Sequence, residues 1–125
     1  TSFEYPGHKE MAEMLSALVG REYTEEDLRV VAERIYNVEQ AYNVRCGLRR
    51  EDDSIPERFF DKKTPTSENA KIKTVDRKKF EAMKDNYYRL HGWDVKTAIP
   101  TRERLEKLGL HDIADDMDAL RKENV

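Results

Sequence analysis

Leu28, Val31, Ala32, Ile35, Val38 and Tyr42 recur every three or four residues along one stretch of this chain, while Arg29, Glu33, Arg34 and Glu39 occupy other positions around the same turns. That spacing is one apolar stripe of an α-helix. Thr24 ahead of it is a ready N-cap, and Glu25, Glu26 and Asp27 suit the positive end of a helix dipole. The pattern predicts a helix from Glu25 to about Leu48, roughly 24 residues and ~36 Å long. A rod of that length exceeds what a compact domain of 125 residues needs across its core, so it is expected to brace neighbouring structure.

Shorter helical patterns surround it. Met11, Met14, Leu15 and Leu18 mark a helix over His8 to Val19, with Gly20 as a left-handed stop. Phe80, Met83, Tyr87 and Leu90 stripe a third, capped by Asp76 and closed by Gly92, with Trp93 in the turn that follows. Pro100-Thr101 opens a fourth with Leu105 and Leu108, ended by Gly109, and Asp112 is expected to cap a fifth carrying Ile113, Met117 and Leu120. From Arg49 to Thr74 the periodicity fails. Pro56, Pro65 and the polar run Thr64 to Asn69 mark a long connection, with only Ile55, Phe59 and Phe60 to anchor it. Loops beyond ~12 to 15 residues are unusual unless they are functional or lie across a partner. The best strand candidate, Ala70 to Val75, is short and interrupted by lysine. The expected class is all-α, about five helices around one small core, with a long irregular connection between the second and third, in a single domain spanning 1–125.

Charged residues make up 39% of the chain against a usual ~25%, and mean hydropathy is -0.93, so the chain is poor in core and rich in surface. Lys plus Arg total 23 and Asp plus Glu 26, giving a net charge of -3 that offers no global attraction for nucleic acid or an anionic membrane. No run approaches the ~18 apolar residues of a spanning helix, and Thr1-Ser2-Phe3-Glu4-Tyr5 lacks the regions of a signal peptide. A cytoplasmic location is expected. The single cysteine, Cys46, excludes an internal disulfide and fits that compartment. A chain beginning with Thr rather than Met is expected to be cut from something longer.

Few residues carry recognisable chemistry. His8, His91, His111 and Cys46 fall at no metal-ligand spacing, so no metal site is expected. Asp112, Asp115, Asp116 and Asp118 lack the alternating loop and central glycine of a calcium site and read as a capped, solvated helix face. Asp52-Asp53 reads as a cap or as a partner of Arg49 or Arg50. The glycines, Gly7, Gly20, Gly47, Gly92 and Gly109, never cluster as a phosphate loop requires, and no serine-nucleophile motif occurs, so no catalytic residue is expected. Lys71, Lys73, Arg77, Lys78 and Lys79 form a basic run without a nucleic-acid motif and read as a solvated face. Tyr87-Tyr88 and Trp93 read as core plus edge. Asn37, Asn43 and Arg45 interrupt or flank the stripe of the long helix, although Asn competes with the backbone for hydrogen bonds and is a poor interior helix residue. Their placement suggests side chains reaching a specific partner.

Glu33-Arg34-Ile35, Tyr42-Asn43-Val44-Arg45 with Gly47, Asp52-Asp53 and Pro56-Glu57-Arg58-Phe59 form an ordered series, continued by Tyr87-Tyr88, Gly92-Trp93-Asp94, Ile99-Pro100-Thr101 and Leu108-Gly109-Leu110. From about Met11 to Asp116 this series resembles the C-terminal end of the aldehyde ferredoxin oxidoreductase family, the tungsten enzymes with a bis-pterin cofactor and an iron-sulfur cluster. The resemblance implies the end of the third, helical domain of a larger protein that oxidises an aldehyde to a carboxylic acid and passes electrons through a 4Fe-4S cluster to ferredoxin. It implies a parent holding tungstopterin, while none of the family's cluster ligands matches a position in this chain and Cys46 is not one of them. The isolated chain is then expected to bind no cofactor and to be inert, with the remaining domains as its partners and a possible dimer when alone. Asn43 and Arg45, in the most family-like stretch, would support the cofactor cavity; the alternative is that Asn43 caps or is solvated and Arg45 pairs with a carboxylate such as Glu39 or Asp52. At the level of the whole chain the alternative is a free-standing helical module that binds another protein.

Overall fold

Thr24 and Asp27 exchange bonds at the start of the longest helix: the Thr24 hydroxyl oxygen accepts from the Asp27 N–H (3.1 Å) and the Asp27 carboxylate accepts from the Thr24 N–H (2.8 Å). This reciprocal cap satisfies two of the backbone donors that a helix start leaves without partners. The computed structural model describes residues 6–61 and 74–123. Within them the chain forms α1 (His8–Val19), α2 (Glu25–Arg45), α3 (Arg58–Asp61), α4 (Arg77–His91), α5 (Arg102–Lys107) and α6 (His111–Glu123), with a 3-10 turn at Arg50–Asp52. Among the described residues there is no strand, only an isolated antiparallel bridge between Trp93 and Pro100, and the class is all-α. The five expected helices are α1, α2, α4, α5 and α6; α3 is an extra short helix inside the irregular connection. The strand candidate Ala70 to Val75 and the run Thr64 to Asn69 fall wholly or mostly outside the described residues.

Two helix ends differ from the sequence expectation, each for a local reason. The long helix stops at Arg45 rather than near Leu48, because Gly47 takes a left-handed conformation (φ 98) and the Leu48 N–H turns back to the Asn43 carbonyl (3.0 Å). This is a Schellman stop, and a Cβ at Gly47 would pay the left-handed penalty. Asp112 does not cap α6. The Leu110 carbonyl already accepts the first helical bond, from the Ala114 N–H (3.0 Å), so Asp112 sits in the first turn, where its charge still suits the dipole.

The core is small and has two parts. Ala41 and Val44 of α2 pack with Ile99, with Leu105 of α5 and with Ala114 and Met117 of α6; Leu110, Ile113 and Leu120 flank them. Tyr88, Trp93 and Ala98, flanked by Val95, form the second part. The α6 pattern of Ile113, Met117 and Leu120 therefore faces inward. The stripes of α2 and α4 do not. Val31, Ile35, Val38 and Tyr42 are exposed, and the α2 face that is buried carries Asn37, Gln40, Ala41 and Val44. In α4, Met83, Tyr87 and Leu90 are exposed while Tyr88 is buried. On α4 the buried face is turned from the apolar stripe by roughly 100°, and on α2 by roughly 160°, almost to the opposite side of the helix.

Candidate functional site

The polar residues turned inward by α2 meet the turn between α4 and α5. Asn37 is fully buried; its amide nitrogen donates to the Glu33 carbonyl (2.9 Å), and its oxygen accepts the Trp93 indole N–H (3.0 Å). One turn along, the Gln40 amide donates to the Ala98 carbonyl (2.8 Å). Ala98 adopts φ 62, an uncommon conformation for a residue with a Cβ, which persists only where surrounding bonds over-determine it. Those bonds are present. Asp94 accepts from the backbone N–H of Lys96 and Thr97 and from the Thr97 hydroxyl, the Asp94 N–H donates to Ile99, Arg50 donates to the Val95 carbonyl (2.6 Å), and Arg121 donates to the Pro100 carbonyl. The interior helix asparagine picked out by sequence thus has its partner inside this chain.

Charged groups clamp the same region from the sides. Glu33 accepts from Arg104 (2.6 Å) and lies 3.3 Å from the His91 ring nitrogen. Burial works to raise the Glu33 carboxyl, but the bonds from Arg104 and then His91 outweigh it and hold the group below its ordinary range. Arg50, mostly buried, pairs with Glu81 and Asp85 of α4 and lies over the Tyr88 ring at 5.4 Å. Lys84 donates to the Arg50 and Asp53 carbonyls, and the Tyr88 hydroxyl donates to the Asp53 carboxylate. Burial, and then that carboxylate, push the Tyr88 hydroxyl far above an ordinary phenol. The connection after α2 is therefore tied to α4. Asp52 caps its own 3-10 turn, accepting from the Arg49 N–H (2.7 Å), and Asp53 serves Tyr88 rather than either arginine.

Asn43 and Arg45 are not brought together. Two residues apart on a helix, they diverge by ~200°. Asn43 is exposed and lines a cleft of about 210 Å³ with Tyr36, Glu39, Gln40, Asp53, Tyr87 and Trp93. Arg45 lines a different, smaller cleft between α2 and α6, with its guanidinium 3.5 Å from Asp116. Both members of that pair are mostly solvated, so it contributes at most about 1 kcal/mol. The acidic face of α6 is more than a solvated one, since Asp115 and Asp118 both bond to Arg102, with Glu106 as a third partner. In the basic run, Lys78 and Lys79 are exposed and Arg77 pairs with Glu57, while Lys71 and Lys73 lie outside the described residues.

Cys46 is exposed, and no three His, Cys, Asp or Glu side chains converge as a metal site among the described residues. Among the same residues no helix is long and apolar enough to cross a membrane. A wide surface among the described residues is apolar instead. A groove of about 770 Å³ runs along α1, lined by Pro6, Met11, Met14, Leu15, Ala17, Leu18 and Leu28, and a second of about 360 Å³ lies against Val31, Ile35, Val38 and Leu110.

Residues 2–110 match the family model described as aldehyde ferredoxin oxidoreductase, domains 2 & 3. The chain is 37% identical over 105 residues to the tungsten-containing aldehyde ferredoxin oxidoreductase of Pyrococcus furiosus and 35% identical over 105 residues to that of Thermococcus kodakarensis. Each match covers 83% of this chain and 16% of the relative, so the chain spans about a sixth of the length of these curated relatives. Among solved structures it is similar to the active-site complex BamBC of benzoyl coenzyme A reductase in complex with 1,5-dienoyl-CoA, with a TM-score of 0.75 and 26% identity, over 96% of this chain and 16% of that one.

Proposed function

The chain belongs to the aldehyde ferredoxin oxidoreductase family, in the part formed by domains 2 and 3, and from that membership we propose that it is the C-terminal helical domain of a tungsten-dependent oxidoreductase working in the cytoplasm. In this reading the whole enzyme oxidises an aldehyde to a carboxylic acid and delivers electrons through an iron-sulfur cluster to ferredoxin. The residues of this chain do not fit the cluster: its single cysteine, Cys46, is exposed, and no three His, Cys, Asp or Glu side chains converge among the described residues. Those ligands belong to other parts of the polypeptide, no step of the reaction is assigned to this chain, and alone it is inert.

Its contribution is structural. The single observation that carries this reading, beyond kinship, is that the apolar stripes of α2 and α4 and the groove along α1 face outward, as surfaces laid against other domains do. Asn43 and Arg45 stand at the end of α2 as polar contacts for that neighbouring structure, Arg45 with a planar fork of donors suited to carbonyls and carboxylates. The test compares the longer polypeptide with a version truncated before this region, scoring tungsten content and aldehyde-dependent reduction of a one-electron dye. Both should drop on truncation and recover in part when the 125-residue chain is added back. Undiminished tungsten and turnover without the region would overturn the reading. Arg45→Lys in the intact enzyme should lower tungsten retention or turnover; no change in either would leave Arg45 an ordinary helix-end charge.

A further inference from the structure

The cleft between α2 and the α4–Trp93 corner enters the reading above only through Asn43, and its charged lining is of one sign. Its 210 Å³ equals the liquid volume of about seven waters at ~30 Å³ each, enough for a small polar head group. Two acids, Glu39 and Asp53, line it and no Lys or Arg does; neither has an ion-pair partner among the described residues, and one oxygen of Asp53 already accepts the Tyr88 hydroxyl. Gln40 is 6% exposed and commits its amide nitrogen to Ala98, which leaves its amide oxygen without a partner among those residues, on a side chain that lines the cleft. The rings of Tyr87 and Trp93 meet edge to face at 5.6 Å and 80°, forming an aromatic corner, and Tyr36 supplies a third ring. Aromatic faces carry the negative side of the ring quadrupole. The Asn43 amide and the two tyrosine hydroxyls can also donate, but the only charges on the wall are negative, and with an amide oxygen and π faces beside them the occupant they fit is a cation with several donors.

We propose that this cleft recognises a guanidinium group, whether of an arginine side chain in other polypeptide or of a free small guanidinium compound. A guanidinium is planar, stacks on aromatic faces and offers five N–H donors in a fork, which suits two carboxylates and an amide oxygen. An alkylammonium such as a lysine side chain has three donors and no flat face, and fits this wall less well. The site does not depend on the activity of the larger enzyme.

Trp93 is the chain's single tryptophan, so its emission reports this cleft directly. The full 125-residue chain would be titrated with methylguanidinium, with the peptide acetyl-Ala-Arg-Ala-amide, and with the same peptide carrying neutral citrulline in place of arginine. The expected result is a saturable change for at least one cationic probe, at least tenfold weaker or absent with citrulline. Glu39→Gln and Asp53→Asn, which keep an acceptor oxygen at each place, should each weaken that binding at least fivefold while the far-ultraviolet dichroism stays unchanged. Tighter binding of the arginine peptide assigns the site to a polypeptide side chain, and tighter binding of methylguanidinium assigns it to a free compound. No saturable response, an equal response to citrulline, or unchanged binding in both variants would overturn the proposal.

Discussion

Asn37 decides more of the interior than its size suggests. Among the described residues its oxygen is the acceptor of the buried Trp93 indole N–H, so Asn37→Leu strands that donor and is expected to cost about 1 to 3 kcal/mol. Asn43→Ala, at an exposed position of the same helix, should stay within about 0.5 kcal/mol. Urea unfolding of the two variants measures the contrast. Glu33 sets a pH dependence whose sign follows from its shift. Its folded carboxyl titrates below the ordinary value of 4.5, so the unfolded chain takes up the proton first as pH falls. The stabilisation is present above the ordinary value and is lost as pH drops through the lowered folded one. As pH falls from the ordinary value of 4.5 through the lowered folded one, Glu33→Gln should therefore lose less stability than the parent chain, followed by thermal unfolding at each pH.

At the scale of elements, most helix ends were legible in the sequence because caps are local, the stop of α2 and the start of α6 being the exceptions. Thr24, Asp76 and Thr101 each accept a backbone N–H of their own first turn, and Gly20 and Gly92 take the left-handed stops expected of them. The facing of α2 and α4 was not legible, because it depends on partners far away in the chain. Asn37 turns inward to satisfy an indole 56 residues on, and Gln40 to reach a carbonyl 58 residues on. No hydropathy pattern marks such positions, and the apolar stripe beside them points the other way. For the same reason the sequence picked out Asn43 and Arg45 as polar interruptions without separating their clefts, and missed the set of acceptors around Tyr36, Tyr87 and Trp93. Gly92 offers a sharper test of an element end than Gly47. Both sit at positive φ, for which a side chain costs roughly 1 to 2 kcal/mol, but a Cβ at Gly92 would also lie 2.5 Å from Arg104 Cγ, whereas one at Gly47 meets open space. Gly92→Ala should lower the melting temperature clearly more than Gly47→Ala, with part of the excess traceable to the Arg104–Glu33 pair.

For the whole molecule, the division between a small polar-stitched interior and bared apolar faces predicts marginal stability. A small domain normally has ~5 to 15 kcal/mol, and this chain should lie at the low end and self-associate as concentration rises. Ile35→Lys and Leu18→Lys remove apolar area from surfaces that are already solvated, 53% and 84% exposed, so they should abolish association in sedimentation experiments without lowering monomer stability. The turn from Trp93 to Thr101 has a further consequence. It is held by α2 through Asn37 and Gln40, by the connection through Arg50 and by α6 through Arg121, whereas the exposed flank of α1 is held by little beyond its own ladder. Deuterium should therefore enter in an inverted order, with the amides of Ala98 and Thr101, in an irregular loop, outlasting those of the regular helix α1.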